Sequence, residues 1–212
     1  MKTQAQISAI IEELKKLYPD ALCSLEYQKD YELLFSVRLA AQCTDARVNL
    51  VTPALFARFP TLEAFAAATP DEVGEYVRSC GFWRAKAKDI VGSAQMLLHD
   101  FGGKVPDNMD DLLRLPGVGR KTANLVLGDI YGKEGYVCDT HCIRITGRLG
   151  ITDGSKDPLK VEQQLRKVIP SEESNNFCHR MVLHGRALCM ARGPKCEKCP
   201  LKALCDYGAS RQ

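Results

Sequence analysis

The chain has 212 residues, of which 45% are hydrophobic and 26% are charged, and its formal net charge is +3 at pH 7. This length suffices for one sizeable hydrophobic core or for two small domains. No run of about 18 apolar residues is present, which argues against a membrane-spanning helix. Residues 1–6 begin a helix-like pattern instead of an apolar signal region, so the ten cysteines indicate thiols and metal ligands in the cytoplasm.

Helical periodicity runs through almost the whole chain. Thr69 and Pro70 read as an N-cap followed by a proline at the first helical position, and Asp157 precedes a second start of this kind. Glycines at 102, 103 and 150 are expected to end helices. The sequence has no pair of neighbouring segments in which β-branched or other apolar residues alternate with polar ones, as strands require. It therefore predicts an all-α fold without internal repeats.

A glycine-rich turn stands between two apolar helical segments at 108–115 and 120–131. The turn sequence is Pro-Gly-Val-Gly, and glycine permits both a positive φ and a close approach of the backbone to another group. The amides near Gly117 and Gly119 can therefore bind a phosphate oxygen without regard to base sequence. We predict a helix-hairpin-helix motif at about 108–131.

Arg120 and Lys121 follow this turn directly, in the first turn of the next helix. Cations there oppose the helix dipole, so stability alone does not explain them. They can be solvated or phosphate-binding cations. Alternatively, the helix N-terminus, the neighbouring arginine and loss of hydration favour the neutral amine of Lys121, which could attack C1′ of a deoxyribose and form a Schiff base.

Asp139 lies eighteen residues beyond Lys121, just before another helical segment. An aspartate at such a position is most often an N-cap. The same carboxylate could stabilise an oxocarbenium-like transition state or accept a proton from an attacking amine. Both interpretations stay open on the local pattern.

Four cysteines stand close together near the C-terminal end of the chain. They are Cys189, Cys196, Cys199 and Cys205, with the spacing C-x6-C-x2-C-x5-C. Zinc and an iron–sulfur cluster both accept four thiolates. A zinc ribbon usually has two C-x2-C knuckles far apart, so this compact run favours the larger cluster.

Positive charge is concentrated around these cysteines. Six cations and two anions between Arg186 and Gln212 give +4, so the rest of the chain carries −1. Arg192, Lys195 and Lys198 lie inside the cysteine loops. Such a patch suits a polyanionic partner, although a solvated basic tail is the plainer interpretation.

These features together resemble the endonuclease III family of DNA glycosylases, in the helix-hairpin-helix superfamily. The resemblance covers nearly the whole chain and includes the strings SVRLAAQCTDARVN, LPGVGRKTANLVL, VCDTH and LHGRALC besides the cysteine run. It implies an enzyme that excises oxidised pyrimidines from duplex DNA and then cleaves 3′ to the abasic site by β-elimination. Lys121 matches the family's Schiff-base lysine, Asp139 its catalytic aspartate and the four cysteines its [4Fe–4S] ligands.

The resemblance also implies a domain organisation. A helical-barrel domain of six helices is expected at 25–135, and a cluster domain at 1–24 with 136–212, with the active-site cleft between them. The expected partner is double-stranded DNA that contains damaged bases or abasic sites, and a monomer suffices for this chemistry. A cytoplasmic protein, associated with the nucleoid if bacterial, is expected.

Further DNA contacts are implied by position. Gln42 matches the glutamine that enters the gap left by a flipped base, and Phe82 stands where a leucine wedge is common, although it could also be a core residue. Arg120 matches a DNA-contacting position. Gly193 replaces a common basic residue, which transfers the expected contact to Arg192 or Lys195.

Two other functions share part of this pattern. A monofunctional adenine-mismatch glycosylase has the hairpin, the aspartate and the cluster, but it usually lacks a lysine at the position of Lys121. A non-enzymatic DNA-binding module with a structural metal needs the hairpin and the basic tail. Such a module does not need Lys121 and Asp139 together.

Overall fold

The computed structural model describes residues 2–210. Met1, Arg211 and Gln212, the outermost residues of the predicted second domain, lie outside the described residues. Within 2–210 there are twelve α-helices and no β-strand, which confirms the predicted all-α class. The helices are α1 (Gln4–Leu17), α2 (Asp30–Ala40), α3 (Asp45–Arg58), α4 (Leu62–Ala67), α5 (Pro70–Val77), α6 (Trp83–Phe101), α7 (Met109–Arg114), α8 (Arg120–Tyr131), α9 (Thr140–Leu149), α10 (Pro158–Val168), α11 (Ser174–Ala187) and α12 (Asp206–Ala209). Short 3₁₀ turns lie at Arg78–Cys80, Ser171–Glu173, Cys196–Lys198 and Lys202–Leu204.

Helix boundaries follow the cap chemistry of the sequence. Thr69 caps α5 and forms a reciprocal capping box with Glu72, and Asp157 accepts from two backbone N–H groups at the start of α10. Gly102 and Gly150 are left-handed C-caps of α6 and α9. The predicted starts and stops at these positions are confirmed. No helix among residues 2–210 is long and apolar enough to cross a membrane.

The chain forms two compact units. One is Cys23–Tyr131, which contains α2 to α8, and the other comprises Met1–Leu22 and Gly132–Gln212. The second unit contains α1 and α9 to α12. The structural boundaries differ by a few residues from those predicted, and the roles expected for the two domains remain predictions.

Aromatic side chains form much of the core of the Cys23–Tyr131 unit. The Phe65 ring lies 5.0 Å from the Phe35 ring and 5.1 Å from the Phe59 ring, measured between centroids. α4 and α5 both pack against α6. At the α5–α6 contact the Trp83 indole occupies the space that a side chain at Gly74 would need.

The second unit has its own apolar core. α1 buries Ile7, Ile10 and Leu14 and packs against α11. Tyr136 is buried in the segment before α9, where its hydroxyl donates to the carbonyl oxygen of Ile169 at 2.9 Å. This bond satisfies the one polar atom of the buried ring.

Gly74→Ala tests the α5–α6 contact. A Cβ at Gly74 would lie 2.4 Å from Cζ3 of Trp83, so the indole or one of the two helices has to shift. We expect the free energy of unfolding in urea to fall by about 1–3 kcal/mol. Glu75→Ala is the control, because Glu75 is exposed on the same helix. Equal stability of the two variants would contradict this packing.

Candidate active site and cysteine centre

The glycine turn between α7 and α8 has the predicted helix-hairpin-helix connectivity. Val118 is buried, and its backbone N–H donates to the carbonyl oxygen of Leu115 at 3.1 Å. Gly117 and Gly119 on either side of it are exposed. The first bond of α8 runs from the N–H of Ala123 to the carbonyl oxygen of Gly119 at 3.0 Å. The amides before Ala123 therefore belong to the helix N-terminus, which favours an anion.

An ion pair lies directly beneath this turn. Arg38 on α2 donates through Nε to Asp89 on α6 at 2.7 Å, and its Nη2 is 2.7 Å from the same oxygen. Gly117 has a φ of +71°, and a Cβ there would lie 2.4 Å from both Arg38 Nε and Asp89 Oδ2. Ser93 on α6 also donates to the carbonyl oxygen of Pro116 at 3.1 Å. Glycine at 117 is required both by its backbone angle and by this close approach.

Lys121 and Arg120 lie in the first turn of α8, as predicted, and both side chains are exposed. Gly119, Arg120 and Lys121 thus combine backbone amides, a guanidinium and an amine within three consecutive residues. This concentration of donors and positive charge is suited to the DNA backbone.

Asp139 is the N-cap of α9 in the second unit. Its Oδ1 accepts from the backbone N–H of Cys142 at 2.7 Å, and the side chain is half-buried. The N-cap interpretation is confirmed. Because a carboxylate has a second oxygen, capping fixes the group and leaves a catalytic role open.

Gln42 and Phe82 share a backbone feature. Gln42 has a φ of +55° and Phe82 a φ of +47°, and they are the two non-glycine residues with positive φ among residues 2–210. Phe82 is 71% exposed, so the interpretation of this ring as a core residue is wrong. Left-handed backbone costs about 1–3 kcal/mol at a non-glycine residue and is concentrated at functional sites.

The four tail cysteines line one cavity in the second unit, and the space between its lining atoms is about 380 Å³, part of it open to solvent. Ile145, Leu149, Leu188 and Leu201 supply apolar lining. Among residues 2–210 no three His, Cys, Asp or Glu side chains are placed to hold a single metal ion. The cysteines nevertheless present four sulfur donors to one space.

Hydrogen-bond donors surround the sulfurs. Arg148 on α9 donates to Cys189 Sγ at 3.3 Å, and the backbone N–H of Gly208 donates to Cys205 Sγ at 3.3 Å. His184 Nε2 lies 3.6 Å from Cys199 Sγ. Burial raises the pKa of the Cys199 and Cys205 thiols.

The cations of the cysteine loops face solvent. Arg192, Lys195 and Lys198 are all exposed. The Lys195 backbone N–H donates to Leu188 at 2.9 Å, which fixes this loop against the end of α11. An exposed basic loop held in this way can contact phosphate.

Sequence reasoning missed several groups that support these residues. Arg148 contacts Cys189, and its other bonds go to the carbonyl oxygens of Met190 at 2.8 Å and Ala191 at 3.0 Å. Arg38 and Asp89 support the turn. No local pattern marks these residues, because each partner is distant in the chain.

Comparisons with known proteins relate the chain to DNA repair. The family described as HhH-GPD superfamily base excision DNA repair protein matches residues 35–171. The chain is 49% identical to endonuclease III of Synechocystis sp. over 193 residues, which cover 91% of this chain and 88% of that relative. It is 39% identical to endonuclease III of Bacillus subtilis, over 97% of this chain and 94% of that relative.

A solved structure is also similar. It is a trapped endonuclease III–DNA covalent intermediate, an estranged-adenine complex, which matches with a TM-score of 0.93 and 42% identity. The match covers 100% of this chain and 99% of that one.

Gly117 and Gly119 are a matched pair for testing the turn. Gly117→Ala should lower the free energy of unfolding by about 1–3 kcal/mol, because it strains φ and displaces the Arg38–Asp89 pair. A Cβ at Gly119 meets no atom within 4 Å, so Gly119→Ala should cost about 1 kcal/mol or less and instead weaken duplex DNA binding. Denaturation and fluorescence-anisotropy titrations measure the two effects. Equal destabilisation by both substitutions would contradict the close approach at Gly117.

Proposed function

Because the chain belongs to the endonuclease III family of base-excision repair proteins, we propose that it is a bifunctional DNA glycosylase and abasic-site lyase. It removes oxidised pyrimidines from duplex DNA and then cleaves the strand 3′ to the abasic site. The observation that carries the proposal is the placement of Lys121, exposed in the first turn of α8 immediately after the glycine turn. Phosphate binding at the turn would hold the sugar–phosphate chain beside this amine.

Lys121 is the nucleophile in this proposal. Its neutral amine attacks C1′, the glycosidic bond breaks, and the base leaves with the bonding electron pair and takes up a proton. The C1′–O4′ bond of the sugar then breaks, O4′ takes up a proton, and the nitrogen forms a protonated Schiff base with C1′, which acidifies the C2′ proton. Loss of that proton forms a C2′–C3′ double bond and expels the 3′ phosphate, which is β-elimination. Asp139 is assigned to stabilise the developing positive charge on the sugar and to accept the proton of the amine.

Gln42 and Phe82 are assigned to the DNA stack. An enzyme that flips a nucleotide out of a duplex has to fill the space it leaves. The exposed Phe82 ring is suited to act as a wedge, and the amide of Gln42 can hydrogen-bond an unpaired base. Arg120, Arg192 and Lys195 are assigned to phosphates, together with the amides at Gly117 and Gly119.

The four tail cysteines are assigned to a [4Fe–4S] cluster. Their chemistry fits this group, since four thiols line one cavity and N–H donors point at Cys189 and Cys205. The bound cluster would supply a rigid cross-link between these cysteines. Such a link holds the loop with Arg192 and Lys195 in the form that contacts DNA. We propose that the protein acts as a monomer in the cytoplasm.

Lys121→Ala tests the nucleophile. On a duplex with one oxidised pyrimidine, borohydride should trap a covalent enzyme–DNA adduct with the wild type and none with Lys121→Ala, because the Schiff base cannot form. DNA binding should persist, since the turn amides remain.

Lys104→Ala is the matched control for this experiment. Lys104 is an exposed lysine of the same unit, in the segment between α6 and α7, and its loss should leave trapping unchanged. A trapped adduct with Lys121→Ala at the wild-type yield would refute the assignment. Release of free base by the wild type without any adduct would indicate a monofunctional glycosylase.

Cys199→Ser tests the cofactor. The purified wild type should be brown and contain iron and acid-labile sulfide in equal amounts, and the variant should lose both, because one cluster ligand is replaced by a hydroxyl. Cys23→Ser is the control, since Cys23 lies in the other unit and should leave the colour unchanged. Zinc in place of iron in the wild-type protein would contradict the cluster.

A further inference from the structure

Lys86 is a buried lysine to which the proposed mechanism gives no role. It lies on α6, where its side chain belongs to the core of the Cys23–Tyr131 unit and is 1% exposed. Burying an ammonium group is unfavourable unless the group is hydrogen-bonded, so the partners of a buried lysine indicate what it does in the structure.

The Lys86 ammonium joins two separate chain segments. Nζ donates to the carbonyl oxygen of Leu39 at 2.8 Å and to that of Cys80 at 2.7 Å. Leu39 lies in the last turn of α2. A continued helix would direct the N–H of Cys43 to Leu39, but this N–H bonds to Ala40 at 3.0 Å, and Leu39 accepts from Lys86.

Each of these carbonyls lies just before one of the proposed stack-filling residues. Gln42 follows Leu39 by three residues, and Phe82 follows Cys80 by two. The backbone N–H of Lys86 also donates to the carbonyl oxygen of Phe82 at 3.2 Å. Lys86 therefore holds the loop that precedes α6 and contains Phe82 by both its backbone and its side chain. The same ammonium holds the last turn of α2, which leads directly into the loop between α2 and α3 that contains Gln42.

Cys43 and Cys80 also lie near each other, one in each of these two loops. Cys43 follows Gln42 directly, and burial together with the neighbouring Cys43 thiol raises the pKa of the Cys80 thiol. The two loops are thus close on both sides of Gln42, at the Leu39–Lys86 bond before it and at the two thiols after it. The left-handed backbone at Gln42 and Phe82 persists only where surrounding contacts fix it.

We propose that Lys86 is a positioning residue that sets the separation of Gln42 and Phe82, so that both enter the DNA stack together. This inference rests on the stack-filling role proposed above for these two residues. The two side chains come from different loops, and a shared ammonium fixes their relative placement in the free protein. Base extrusion then requires no rearrangement of either loop.

Lys86→Met tests the inference, because methionine keeps the apolar stem and removes the donors. A duplex with one oxidised pyrimidine and a neighbouring 2-aminopurine reports excision and unstacking. We expect single-turnover excision to fall about a hundredfold, the loss expected when binding groups are misplaced by about 1 Å, and the fluorescence rise on binding to shrink. Cleavage of an abasic site in single-stranded DNA should retain its wild-type rate, because no stack has to be filled.

Leu97→Ala is the control for lost stability. Leu97 is buried on the same helix, three turns from Lys86, so it destabilises the unit without touching either loop. It should lower the Tm without separating duplex excision from single-strand cleavage. Equal loss of both activities in Lys86→Met and Leu97→Ala would reduce Lys86 to a stabilising residue and overturn the inference. If Lys86→Met does not fold, Lys86→Gln, whose shorter amide cannot reach both carbonyls, replaces it.

Gln42→Ala and Phe82→Ala separate this inference from the proposed function. If both leave duplex excision unchanged, their stack-filling role is wrong, and the role of Lys86 falls with it. If both lower excision whereas Lys86→Met does not, only the positioning role is refuted. Cys80→Ala keeps the carbonyl that Lys86 binds, so retained excision in that variant would support the carbonyl contact as the one that matters.

Discussion

The close approach of the Gly117 backbone to the Arg38–Asp89 ion pair is the constraint on which the glycine turn between α7 and α8 depends. The side chains of Arg38 and Asp89 are only 20% and 22% exposed, so they cannot readily move aside to make room for a side chain at position 117. α2, α6 and the α7–α8 turn meet at this point. The net stabilisation from a partly buried pair is small, but its geometry requires glycine above it.

Several residues of the Cys23–Tyr131 unit have features that are unfavourable for stability. Arg120 and Lys121 oppose the dipole of α8, Gln42 and Phe82 have left-handed backbone, and the Phe82 ring is exposed. All of them are residues that the proposed function uses. In the proposed function these departures from local stability rules serve a partner that carries negative charge and stacked bases.

Cap and turn residues could be predicted from the sequence because their partners lie within four residues. Thr69, Asp157 and Asp139 are examples, and each caps the helix expected of it. The supporting contacts could not be predicted in this way. Lys86 and Leu39 are 47 residues apart, Arg38 and Asp89 are 51 apart, and Arg148 and Cys189 are 41 apart. A single sequence contains no periodicity that pairs such positions, so the fold class and the candidate site residues could be read from the sequence, whereas the groups that hold them could not.

Helix α9 connects the cysteine segment with Asp139. Arg148, in the last turn of α9, binds the sulfur of Cys189 and the carbonyl oxygens of Met190 and Ala191. Asp139 caps the other end of the same helix, about 14 Å away at 1.5 Å per residue. Apart from α12, residues 190–210 form only short 3₁₀ turns, so a cross-link through the cysteines would help to hold Arg148 in place. Fixing one end of a rigid helix fixes the other, and a purely structural cluster would therefore also orient the carboxylate of Asp139, to which the proposed function assigns a catalytic role.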